Sequence, residues 1–187
     1  MPADDLTATA WLCLGLLAAA VLAAATGWRW QRSPWLGGLQ VVLLLATAGA
    51  GALRPGLLGA PDALPVAVRT TCVLLAVLGG GPLTTAVFRL VDGREDQRPG
   101  SVRRAAEVLR GGAWIGALER GAVVVSVLLR WPEGIAVSLA VKGLGRYPEL
   151  RNEEHTGIAE RFLIGTFVSV LWAAACAGTA LLLCPPG

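Results

Sequence analysis

Six apolar runs, each bounded by a polar or Gly/Pro-bearing turn, account for most of the chain. The first, residues 7–26, contains no charged side chain. It gives way to Gly27-Trp28-Arg29-Trp30-Gln31-Arg32-Ser33-Pro34-Trp35, where three Trp and two Arg mix as they do at a membrane–water boundary. A second run, 35–53, stops at Arg54-Pro55-Gly56, and a Gly/Pro/Asp loop separates it from the third, 66–91. The fourth, 111–129, ends at Arg130-Trp131-Pro132; the fifth covers 132–146 and the sixth 162–183. A helix needs about 20 residues to cross a hydrocarbon core about 30 Å thick, so the runs predict transmembrane helices.

The fifth run is short enough to be re-entrant, and the distribution of Lys and Arg decides how it is read. With six crossings and the N-terminus outside, 12 bases (Arg29, Arg32, Arg89, Arg94, Arg98, Arg103, Arg104, Arg110, Lys142, Arg146, Arg151 and Arg161) lie inside. Arg54, Arg69 and Arg130 lie outside, and Arg120 falls within the fourth run. If the fifth run did not cross, 12 against 3 would become 8 against 7, losing the bias that orients membrane proteins. The prediction is an all-α integral membrane helical bundle in one domain, with six transmembrane helices and both termini outside. A loop at 92–110, holding five Arg and four acids, faces the cytoplasm, and a short surface helix is expected from Val102 to Leu109.

Composition narrows the function. Hydrophobic residues make up 55% and charged residues 16% of 187, with mean hydropathy +0.61, against roughly 45–50% and 25% in soluble domains. Fifteen of the 16 bases are Arg, scattered among acids and apolar runs and not gathered on an aromatic-studded face, which argues against nucleic acid. Arg in place of Lys, with abundant Ala, Gly, Leu and Val, is the usage of a GC-rich bacterial genome, so the membrane expected is a bacterial inner membrane. Met1-Pro2-Ala3-Asp4-Asp5 lacks the basic start of a cleavable signal, and the first run reads as a retained span. Cys13, Cys72, Cys176 and Cys184 lie in or beside apolar runs without metal spacing and read as small buried hydrophobes; one bridge among Cys13, Cys72 and Cys184 is conceivable. No nucleophile elbow, zinc or phosphate-loop motif occurs. His155, beside Asn152, Glu153 and Glu154, reads as a solvated loop, so no enzyme activity, metal or cofactor is expected.

Chemistry concentrates at the fourth and fifth runs. Glu119 lies about 12 Å along its helix, where an ionisable group needs a partner. Lys142 on the next run is that partner, with Arg120 or Arg146 competing for the carboxylate. Gly112, Gly116, Glu119 and Val123 share one face, and Gly134, Ser138, Lys142 and Gly145 another, so small residues would let the two helices approach. Gly165, Ser169, Ala173 and Ala177 form a similar stripe on the sixth run, for a neighbouring helix or another protomer. Gly79-Gly80-Gly81-Pro82 predicts a break in the third run, as a kink or short unwound stretch. Arg130 and Glu133 read as an interfacial pair.

The stretch Leu109-Arg110-Gly111-Gly112-Ala113-Trp114-Ile115-Gly116-Ala117-Leu118-Glu119-Arg120, then Ala140-Val141-Lys142-Gly143-Leu144-Gly145-Arg146-Tyr147-Pro148-Glu149-Leu150, then Glu160-Arg161-Phe162-Leu163-Ile164-Gly165-Thr166-Phe167-Val168-Ser169 resembles uncharacterised bacterial multi-pass membrane proteins. Their pattern runs G-x-x-I-G-x-L-E-R, then A-x-K-x-x-x-R-[FY]-x-E, then a final span opening Leu-Ile-Gly-Thr. The resemblance covers residues 109–175 and implies a membrane module with Glu119, Lys142 and Arg146 grouped. Two functions follow as expectations. One is a non-catalytic subunit that packs or docks within a membrane complex or homo-oligomer, its partners being lipid and membrane protein. The other is a small oligomeric transporter or channel with a polar site at Glu119 and Lys142.

Overall fold

A computed structural model describes residues 3–29, 35–53, 63–91, 110–151 and 156–185. All regular structure among them is helical: α1 (Ala3–Arg29), α2 (Trp35–Leu53), α3 (Ala63–Val91), α4 (Arg110–Leu128), α5 (Pro132–Arg151) and α6 (Thr156–Leu183). Four stretches are long and apolar enough to cross a membrane, namely Ala8–Arg29, Trp35–Leu53, Ala63–Val91 and Ala159–Leu183. Helices α4 and α5, 19 and 20 residues long, carry Glu119, Arg120, Glu133 and Lys142 and are less apolar than those four. Residues 92–109, with the expected surface helix, and 152–155, with His155, lie outside the described residues. Residues 146–151, expected as loop, continue α5 instead; Glu149, Leu150 and Arg151 are good helix formers.

Helix α3 is the centre, packing against α1, α2, α4 and α6, whereas α5 packs chiefly on α4. Leu75, Val68 and Cys72 of α3 are sealed beneath Leu17 and Cys13 of α1, Val123 and Val124 of α4, and Cys176 and Leu183 of α6. Large side chains on the outer faces, such as Leu22, Leu45, Leu118 and Leu171, point away from this core, as expected where the surrounding solvent is lipid. All four cysteines are free and buried, so the conceivable bridge is not formed.

Interhelical contacts fix the level of each helix along α3. At one end the Arg69 guanidinium donates to the Cys184 carbonyl at 2.9 Å, and the Cys184 thiol lies 3.7 Å from the Pro65 carbonyl oxygen. At the other end α1 and α2 press glycines against Pro82: a methyl on Gly27 would come within 2.9 Å of the Pro82 ring, and one on Gly37 within 2.8 Å of Ala86. Pro82 lies eighteen residues beyond Leu64, about 27 Å of helix, which matches a bilayer core about 30 Å thick. The last turns of α3, to Val91, continue past that level.

A closed turn joins α4 to α5. Trp131 N–H donates to Ser126 C=O at 2.8 Å and Arg130 N–H to Val127 C=O at 3.1 Å, while Arg130 has φ 54°. This is the Schellman arrangement, with an arginine in the left-handed position that glycine usually fills. Pro132 then opens α5, where its missing N–H costs nothing. Both Arg130 and Glu133 are exposed and no ion pair links them. The pair read from sequence therefore does not form, since the turn geometry, not attraction between the charges, sets the Arg130 conformation. Arg130→Gly is expected to raise stability by about 0.5–1 kcal/mol by relieving left-handed strain, net of glycine's entropy. Unfolding in mixed micelles would register the gain, and a loss would show that the Arg130 side chain contributes more than its backbone costs.

Candidate functional site

Three consecutive glycines on α3 project at 100° intervals around the helix, so each faces a different neighbour. A methyl on Gly79 would lie 2.7 Å from Gln40 Oε1 of α2 and 2.8 Å from the Trp172 ring of α6. One on Gly80 would run into the Arg120 side chain of α4, and one on Gly81 would lie 2.6 Å from the Trp28 ring of α1. The glycines thus make a narrow waist that accepts large polar side chains from four helices.

Those side chains bond the backbone of the waist. Pro82 has no N–H, which leaves Leu78 C=O without its helical donor; Trp28 Nε1–H fills the vacancy at 2.7 Å. Gln40 Nε2–H donates to Gly79 C=O at 2.8 Å, and Trp172 Nε1–H to Leu75 C=O at 3.2 Å. Arg120 donates twice to Val77 C=O, from Nε at 3.0 Å and from one terminal nitrogen at 2.7 Å. Its other terminal nitrogen donates to Ser169 Oγ at 3.3 Å. Thr84 and Thr85 hydroxyls return to Gly80 and Gly81 carbonyls. Against the expected unwound stretch, α3 stays helical through Gly79–Pro82, because the carbonyls that Pro82 and the glycines leave exposed are satisfied from outside.

Arg120 is 95% buried, with 5% exposure. Its contact at Val77 lies five residues, about 8 Å, from Pro82. It does not compete for the Glu119 carboxylate, since its planar fork is committed to α3 and α6. Gly116 serves it on the same helix: a methyl there would approach Arg120 to 3.1 Å. Gly116 therefore makes room for a side chain of its own helix and does not mediate contact between α4 and α5. Gly112 is half-buried.

Glu119, one residue earlier and about 100° round the helix, faces α5, where Lys142 Nζ donates to Glu119 Oε2. The two side chains are 18% and 20% exposed, and the ammonium also lies 5.7 Å from the Phe162 ring centre of α6, within cation–π range. This salt bridge ties α5 to α4. Arg146 is on α5, but its side chain lies outside the described ones. Of the small residues read as an α5 stripe, Gly134 seats against Ser126 and the Trp131 ring, while Gly145 has open space. On α6, a methyl on Gly165 would meet Phe88 and Thr84 of α3 at 3.3–3.6 Å, Ser169 takes the Arg120 bond, and Ala173 and Ala177 are buried. That stripe is used inside the chain.

Glu119, Arg120, Val123, Ser138, Leu139, Lys142, Ser169 and Val170 line one cleft between α4, α5 and α6, with room for about one water molecule. No group of His, Cys, Asp and Glu side chains among the described residues is placed to hold a metal. The waist residues Trp28, Gln40 and Trp172 were not picked out from sequence. Gln40 left a signal, being the one amide inside an otherwise apolar run. Trp28 reads from sequence as an interfacial ring beside Arg29, and Trp172, in mid-run, reads as one more apolar side chain. No protein-family model, curated protein or solved structure matches the chain.

Proposed function

We propose that the chain is a non-catalytic integral membrane protein of a bacterial inner membrane, with six crossings and both termini outside. It works as a packing or docking subunit of a membrane complex or homo-oligomer. The observation that carries this reading is that each long polar side chain of the centre closes at least one bond between helices. Arg120, Trp28, Gln40 and Trp172 each close on a carbonyl of α3, and Lys142 closes on Glu119. The remaining cleft has room for about one water, too little for an organic solute. The crossing of α4 and α5 is supported by the inside excess of Lys and Arg, and by Arg120 reaching α3 between Leu64 and Pro82. The resemblance of residues 109–175 to bacterial multi-pass proteins fits the same assignment.

The second reading, a small oligomeric transporter or channel, draws on the ion pair at Glu119 and Lys142. Reconstitution separates the two. The subunit reading expects ion flux no greater than in empty liposomes, and a stoichiometric partner or homo-oligomer recovered in mild detergent. Flux that Glu119→Gln abolishes while the protein stays folded would establish transport instead.

A further inference from the structure

The cleft between α4, α5 and α6 is unbalanced in charge and in hydrogen bonding. Its lining carries two cations, Arg120 and Lys142, against one carboxylate, Glu119, a net of +1. Donors outnumber acceptors in the same direction. The Lys142 ammonium has three N–H bonds and gives one to Glu119. The Arg120 guanidinium has five and uses three.

The two hydroxyls of the cleft add to the excess. Elsewhere Thr26, Thr47, Thr71, Thr84, Thr85, Ser126 and Thr179 return their protons to a carbonyl of the preceding turn. Ser169 instead accepts from Arg120, which leaves its own proton uncommitted, and Ser138 makes no hydrogen bond among the described residues. Val123, Leu139 and Val170 complete the walls, so the excess charge lies in apolar surroundings, where an uncompensated ion is costly. The Val77 carbonyl offsets part of the Arg120 charge but supplies only a dipole.

From this we infer that the cleft binds one small monovalent anion, chloride being the abundant candidate, as a counter-ion shared by Arg120, Lys142, Ser138 and Ser169. Room for about one water suits a monatomic halide better than a phosphate group. The anion joins α5 to α4 and α6 beside the Glu119–Lys142 pair. This inference does not depend on whether the chain is a subunit or a transporter, because it is read by stability and not by flux.

The test is thermal unfolding of the purified protein in a nonionic detergent at fixed sodium, with gluconate replaced stepwise by chloride or bromide. A saturable rise in Tm is expected with either halide. Glu119→Gln removes the competing carboxylate, raises the net charge to +2 and should lower the half-saturating halide concentration by about tenfold or more. Lys142→Met should raise it by a similar factor. Ser138→Ala weakens binding without changing charge. A Tm indifferent to the anion overturns the inference, and so does a Glu119→Gln variant whose halide response is lost. A rise produced by phosphatidylglycerol but not by halide would also overturn it, assigning the charge to a lipid headgroup.

Discussion

Gly80→Ala is expected to destabilise the bundle by about 2–4 kcal/mol, and to cost less than about 1 kcal/mol once Arg120 is also changed to Met. A single methyl at position 80 would occupy the space of the Arg120 stem. The waist cannot widen without separating α3 from α4, so overpacking adds to the loss of well-formed hydrogen bonds at Val77. Arg120→Met removes both the obstacle and the buried charge and leaves a flexible apolar chain that can fold away from the methyl. The two changes should therefore be strongly non-additive, which a double-mutant cycle in mixed micelles measures directly. Equal costs for Gly80→Ala in both backgrounds would show that the glycine is needed for a reason other than Arg120.

Lys142→Met is expected to cost about 2 kcal/mol, and the double change Lys142→Met with Glu119→Gln to recover about half of it. The single change leaves a carboxylate in an apolar flank, with Arg120 already committed to α3 and α6. Removing one member of a buried pair typically costs about 3–5 kcal/mol. The side chains here are about one-fifth exposed, which lowers the figure. Recovery follows because the double variant strands no charge on Glu119. A cycle at fixed chloride, comparing both singles with the double, would detect the coupling; additive costs would mean that the ion pair contributes nothing of its own.

The helices were legible because their signal is length and apolarity. The second run coincides with α2 at 35–53, and the fourth and fifth begin within a residue of α4 and α5. The Glu119–Lys142 contact was also within reach, since a lone lysine and an acid on adjacent helices have few other ways to be accommodated in lipid. What could not be read was the destination of Arg120. The acceptor is a main-chain carbonyl, and every residue has one, so no side-chain pattern marks Val77. Of the kink or unwound stretch read at Gly79-Gly80-Gly81-Pro82, the unwinding does not occur, for a related reason. Glycine and proline within a helix suggest unwinding, and only the surrounding side chains reveal that the freed carbonyls are already taken. The position of Gly116 beside Arg120 shows a further limit: a small residue can make space for its own helix as readily as for the next.

Donors from α1, α2, α4 and α6 reach the middle of α3 within a single turn, from Leu75 to Gly79. A helix gripped in this way on several flanks can neither slide lengthwise nor spin without surrendering all of those contacts together. Any rearrangement of this bundle would thus pivot on α3 as a stationary axle, with α5, held through α4 at the rim, the part free to swing.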